Sequence, residues 1–218
     1  PVRTAFPDMP EALSTAGTIA IYRGQGTLGE RQLREVLAKR PNYVPALHVL
    51  ADYLPGTGKR AEAIQMIDRA IAVDPLSAVL YGKRAAIKED QGRYEASKAD
   101  YLKALEIDPG FASAKAGIGT LNAYVFNRLD QSVKDIQDVI AMDPGNPMYR
   151  NMLVVIYQDI GLHAESIESA RRLYAKYGQE YSCILSFAEL FAGNAKASLR
   201  LSQQVPTYSC GIYWLIRN

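Results

Sequence analysis

The chain has 218 residues, 48% of them hydrophobic, which is enough apolar content to bury a sizeable core and too much for a disordered segment. Twenty-five basic residues stand against 23 acidic ones, interleaved as in Lys98–Asp100 and Lys103–Glu106, which argues against a dedicated nucleic-acid surface. The longest apolar stretch, Met152–Tyr157, is far short of a bilayer span, and no charged-then-apolar leader opens the chain; a start on Pro1 is the expectation for a processed form or an excised piece.

Residues 1–9 read as an N-terminal extension, and from residue 10 the chain reads as helical hairpins. The first, about 10–43, has a small residue at Gly17, Leu33 in its second helix and a stop at Pro41. In the second, 44–77, Leu47, Leu50, Ala51 and Leu54 lie on one helical face, and Ala63, Ile67 and Ala70 lie on the next. The third, 78–111, repeats the pattern with Tyr81, Ala85, Tyr101 and Ala104. In the fourth, 112–146, the stretch 110–127 holds one residue more than its counterparts, so the register of its first helix stays open. The fifth, 147–178, places Leu153, Val154, Tyr157, Ile167, Ala170 and Leu173. It ends in Lys176-Tyr177-Gly178 rather than Asp-Pro. A degenerate sixth copy spans 179–205, with a turn at Gly193-Asn194. The aromatic-rich segment 206–218 reads as a cap, which an open-ended stack of hairpins requires.

Period, rather than any local motif, identifies the architecture. Pro41, Pro75, Pro109 and Pro144 stand 34, 34 and 35 residues apart, three of them in Asp-Pro pairs. Proline past a helix ends it, because its ring lacks an N–H and excludes helical geometry in the preceding residue. Midway between the prolines fall Gly58, Gly92, Asn127 and Gly161, residue types that tolerate the left-handed backbone closing a helix. The predicted unit is helix, tight turn, helix, stop.

The same period disposes of two nucleotide-binding look-alikes. Gly24-Gln25-Gly26-Thr27-Leu28-Gly29 fits G-x-G-x-x-G, but no strand precedes it, and in register it reads as an enlarged, flexible hairpin turn. Pro55-Gly56-Thr57-Gly58-Lys59-Arg60 resembles the end of a phosphate-binding loop, yet it lacks the earlier Gly and the hydroxyl after the Lys. His48 and His163 lie in different repeats and read as satisfied or exposed side chains. No catalytic constellation, metal site or cofactor site is expected. Cys183 and Cys210 admit two readings, a pair of buried thiols or one disulfide stapling the C-terminal end.

The recurring slots resemble those of the tetratricopeptide repeat family. Gly58-Lys-Arg-Ala-Glu-Ala63 and Gly92-Arg-Tyr-Glu-Ala-Ser97 are similar to its turn and second-helix opening, and Asp74-Pro75 and Asp108-Pro109 to its end. The resemblance implies an all-α, right-handed α-solenoid of antiparallel helix hairpins over residues 10–205. It also implies a concave groove, lined by the first helix of each pair, that binds a protein or peptide without catalysis. Carried onto this sequence, the groove slots are His48 and Asp52, with Val49; Lys83 and Glu89, with Ala86; Asn122 and Tyr124; and Asn151, Met152, Val155 and Gln158, with Met148. The Lys, Asn and Arg clamp that some members use for a peptide C-terminus is not supplied. Self-association is compatible with such a stack; nucleic-acid binding and membrane insertion by this segment are not expected. Asp74-Pro75-Leu76-Ser77 also resembles repeat regions of larger bacterial regulators, in which this segment would be a sensory domain. The expected location is extracytoplasmic if Cys183 and Cys210 are bonded, and cytoplasmic otherwise.

Overall fold

Backbone geometry at the punctuating residues explains where each element ends. Arg40, Asp74, Asp108 and Asp143 each precede a proline, and their φ values of −133°, −128°, −133° and −132° carry ψ of 85°, 80°, 96° and 76°. The following ring forbids helical ψ there, so each helix stops.

The computed structural model describes residues 9–202. In chain order its helices are α1 (Pro10–Tyr22), α2 (Gly26–Lys39), α3 (Val44–Tyr53), α4 (Arg60–Val73), α5 (Ala78–Asp90) and α6 (Tyr94–Ile107). They continue as α7 (Ala112–Tyr124), α8 (Leu129–Met142), α9 (Pro147–Asp159), α10 (His163–Tyr177), α11 (Ser182–Phe191) and α12 (Ala195–Ser202). Among the described residues every regular element is helical, and the fold is an all-α solenoid of tandem antiparallel hairpins. The expected extension 1–9, apart from Met9, and the capping segment 206–218 lie outside the described residues.

Five of the six hairpin turns use one device. Gly24, Gly58, Gly92, Gly161 and Gly193 have φ between 71° and 82°, and Asn127 serves the sixth at 51°. The left-handed residue folds the chain back so that a following N–H reaches a carbonyl of the last helical turn. Gln25 donates to the Ala20 carbonyl at 2.8 Å, Arg93 to Lys88 at 2.9 Å and Leu162 to Tyr157 at 2.8 Å. These bonds satisfy carbonyls that the helix leaves open.

Hairpin closure rests on two small positions. The first helices present Gly17, Ala51, Ala85, Gly119, Val154 and Ala188, and the second helices Gly29, Ala63, Ser97, Ser132, Ser166 and Ser198; all are buried. Their backbones come close enough for the Ser166 hydroxyl to donate to the Val154 carbonyl at 3.1 Å. Larger residues fill the space between hairpins. The chain forms two compact units, one ending at Ala114 and the other beginning at Lys115. In the first, Leu33, Val36, Leu47, Leu50, Leu54 and Ile67 are fully buried in one cluster. In the second, a cluster of Val154, Ile167, Ala170, Leu173, Ile184, Leu185 and Ala188 ties α9, α10 and α11 together.

Three expectations change. α7 starts 34 residues after α5 and has the same 13-residue length, so the extra residue lies in the turn Val125–Arg128 and the helix is in register. The Gly24–Gly29 segment is not an enlarged turn: Gly26 opens α2, and Gly29 packs inside the hairpin against Gly17. The enlarged turn is the next one, where α3 stops after ten residues and a short 3-10 segment, Leu54–Thr57, precedes Gly58.

Candidate partner-binding surface

Helical period divides each first helix into a packing face and an opposite face. On α3 the packing face carries Leu47, Leu50 and Ala51, all fully buried, so His48 and Asp52 lie on the other side, while Val49 packs partly against the core cluster. On α5 the same offset brings out Lys83, Ala86 and Glu89, and on α9 it brings out Met148, Asn151, Met152 and Val155.

In the first unit this surface compensates its own charge. Lys83 Nζ lies 2.7 Å from both carboxylate oxygens of Asp52. His48 sits beside the pair, half-buried. Burial, followed by the Lys83 charge, holds its imidazole below the ordinary histidine pKa, while Asp52 opposes the shift. Its Nε2 is covered and without a hydrogen-bond partner, and so is Nδ1 of His163. Neither is the satisfied or exposed side chain expected from sequence. Glu89 accepts a hydrogen bond from the Tyr101 hydroxyl at 3.2 Å. Burial raises its carboxyl above the usual range, and the tyrosine bond pulls it partly back. Glu89 is thus tied to its own hairpin as much as presented.

In the second unit the predicted residues separate. Asn122 is 3% exposed and donates its amide to Asp135 at 2.8 Å. It occupies the place that Lys88 holds one repeat earlier, where Lys88 reaches Asp100 at 2.6 Å, so it is a hairpin-packing residue rather than a groove residue. The reading went wrong because the register of α7 was open. Gln158 is also buried, at 6%. Tyr124 is exposed, and its hydroxyl donates to Asp159 at 3.0 Å. Met148 is 57% exposed. Asn151, Met152 and Val155 beside it are partly buried, and Asn151 Oδ1 is covered with no hydrogen-bond partner. Cys183 is buried in α11; Cys210 lies outside the described residues.

The α9 face thus offers a thioether stripe beside an amide, a combination suited to an amphipathic or extended peptide. Among the described residues no three His, Cys, Asp or Glu side chains are grouped as a metal site would require, and no helix is long and apolar enough to cross a membrane.

Residues 78–111 match the tetratricopeptide repeat model. The TPR repeat-containing protein YpiA of Bacillus subtilis is 25% identical over 200 residues, covering 90% of this chain and 47% of YpiA. The chain spans less than half the length of the curated relatives it matches. Among solved structures, the type IV pilus biogenesis factor PilW superposes with a TM-score of 0.76 at 16% identity, covering 90% of this chain and 92% of PilW. The pilF protein of Pseudomonas aeruginosa gives 0.72 at 14%, covering 94% and 96%. At such identities the structural likeness shows the fold. Repeat period, turn geometry, the matched repeat and the relatives together support assigning the chain to the tetratricopeptide repeat family.

Proposed function

We propose that the chain is a non-catalytic protein-interaction scaffold whose partner lies along the exposed face of the first helices, with α9 the principal contact. The observation that carries this reading is the α9 face itself. Met148 stands exposed, one turn from Asn151, whose covered side-chain Oδ1 has no hydrogen-bond partner among the described residues. A bound segment supplies apolar side chains for the exposed Met148 thioether and its neighbour Met152. The Lys83–Asp52 pair disfavours a carboxylate-clamp mode, because the only lysine among the proposed groove residues already holds an acid.

The test replaces Asn151 and Met152 together with bulky charged residues, N151R/M152E, and compares retained partners by pull-down. K103E on α6 serves as the control, because Lys103 is exposed on a second helix. Partners are expected to be lost from the double variant and kept by the control, with unchanged far-UV circular dichroism. Retention of every partner by a folded double variant removes the α9 reading.

A second reading makes this segment the sensory or regulatory part of a longer regulator. The chain's coverage of only 47% of YpiA favours a repeat region within a larger protein. The thiol state of Cys183 and Cys210 tests its placement.

A further inference from the structure

The seam between α8, α9 and α10 holds a cleft of about 540 Å³, a size typical of small-ligand sites. α9 lines it with Arg150, Leu153 and Tyr157. Their spacing of three and four residues puts them on the helix face opposite Asn151, Met152 and Val155. The cleft is therefore separate from the proposed partner surface.

Comparison between repeats explains why the seam is open here. In the 78–111 repeat the same seam is filled by Arg84, whose guanidinium reaches Asp100 at 2.7 and 2.8 Å and Asp68 at 2.7 Å. In the 147–178 repeat Leu153 stands in the place of Arg84, Ser169 in that of Asp100 and Gln137 in that of Asp68. Both acids are gone, yet an arginine remains, one turn earlier, at Arg150. Its Nε is covered and has no acceptor, and among the described residues it has no ion-pair partner. Tyr157 accepts a hydrogen bond from Gln137 Nε2 at 3.1 Å, which leaves its own O–H to donate. The cleft is thus lined by an arginine with no ion-pair partner among the described residues and by the Tyr157 hydroxyl, beside the apolar side chains of Ile140 and Leu153. Arg172 at the cleft is already paired with Glu168 at 2.9 Å. Glu165 and Glu168 add negative charge that opposes a dianion such as phosphate or a dicarboxylate.

We propose that this cleft binds a small monocarboxylic acid with a short apolar chain. The carboxylate meets the Arg150 guanidinium and the Tyr157 hydroxyl, and the chain lies against Ile140 and Leu153. An arginine beside a carboxylate makes the strong, charge-assisted form of hydrogen bond, which no described residue supplies to Arg150.

The experiment follows the Arg150 Nε–H resonance of the full chain, labelled at arginine nitrogen, during titration with hexanoate. Parallel titrations use hexanol, sodium chloride and the blocked peptide N-acetyl-Ala-Glu-Ala-amide. A saturable shift with hexanoate is expected, absent with hexanol and chloride. Affinity should fall roughly tenfold or more in R150Q, the loss of one charge-assisted contact, and stay unchanged in K103Q, which removes an exposed charge on α6 away from the cleft. A linear shift matching chloride, an equal response to hexanol, or saturation by the peptide alone overturns the proposal. Should R150Q not fold, the comparison of hexanoate with hexanol on the unmodified protein decides.

Discussion

Gly29 is the closest approach in the first hairpin. A Cβ there would lie 2.5 Å from the Gly17 carbonyl oxygen and 2.6 Å from Ile21 Cγ1. Gly29 lies within a helix and has no left-handed φ, so helix propensity alone favours Gly29→Ala by about 1 kcal/mol. The contact with a backbone carbonyl decides otherwise, because α1 and α2 must separate to admit the methyl. Overpacking of this kind costs about 1–3 kcal/mol, and a fall in urea midpoint is expected; a rise would show that the hairpin closes elsewhere. The period made this residue legible in principle, since Ala63 and Ser97 follow it at steps of 34. The three glycines between Gly24 and Gly29 hid it, because in register the whole segment reads as one enlarged turn. Asn122 was misread for a related reason: a single added residue between two breakers does not say on which side of the helix end it belongs. The structure puts it in the turn, which moves Asn122 from the groove to the hairpin interior.

Between elements, the clearest polar tie joins α4, α5 and α6. Asp100 is 5% exposed and receives two bonds from Arg84 and one from Lys88, while Arg84 also reaches Asp68 and lies 5.2 Å from the Tyr81 ring centroid. The bonds to Asp68 and Asp100 drive the Arg84 pKa above its ordinary value, burial opposing. Removing one partner of a buried pair leaves the other charge uncompensated, which costs about 3–5 kcal/mol. Lys88 still faces Asp100, so R84M is expected at the lower end, about 3 kcal/mol. The double variant R84M/D100L is expected to lose less than the sum of the two single variants, although D100L also leaves Lys88 without its acid. Additive losses in the double-mutant cycle would mean that the Arg84–Asp100 bonds carry no coupling energy, leaving Arg84 to act through Asp68 and Tyr81. Nothing in the sequence announces this tie: Arg84 stands 16 residues from each acid, and no local spacing rule reaches that far. Helix ends were legible because they depend on adjacent residues, Asp-Pro and Gly, whose backbone limits act locally. The open seam at α9 follows the same logic, since Arg150 acquires meaning only after the repeats are laid over one another.

At the scale of the chain, each unit buries its own apolar cluster. What such a stack does depends on what it is attached to, and this chain covers less than half of YpiA. The two cysteines carry the remaining argument about placement. Cys183 is 3% exposed in α11, among Ile184, Leu185 and Ala188 of the second cluster, while Cys210 follows beyond the last described helix. A bond between them would close a loop at the end of the chain, worth about 3.5 kcal/mol by the chain-entropy account. Such bonds persist in oxidising compartments. A regulator whose repeat region lies outside the cytoplasm is therefore expected to show no reactive thiol when the protein is purified without reductant, unfolded and titrated. The same protein treated with reductant should show two and melt at a lower temperature. Two reactive thiols in the untreated protein would remove the extracytoplasmic placement and leave the scaffold reading standing, since the α9 surface does not depend on the redox state of either cysteine.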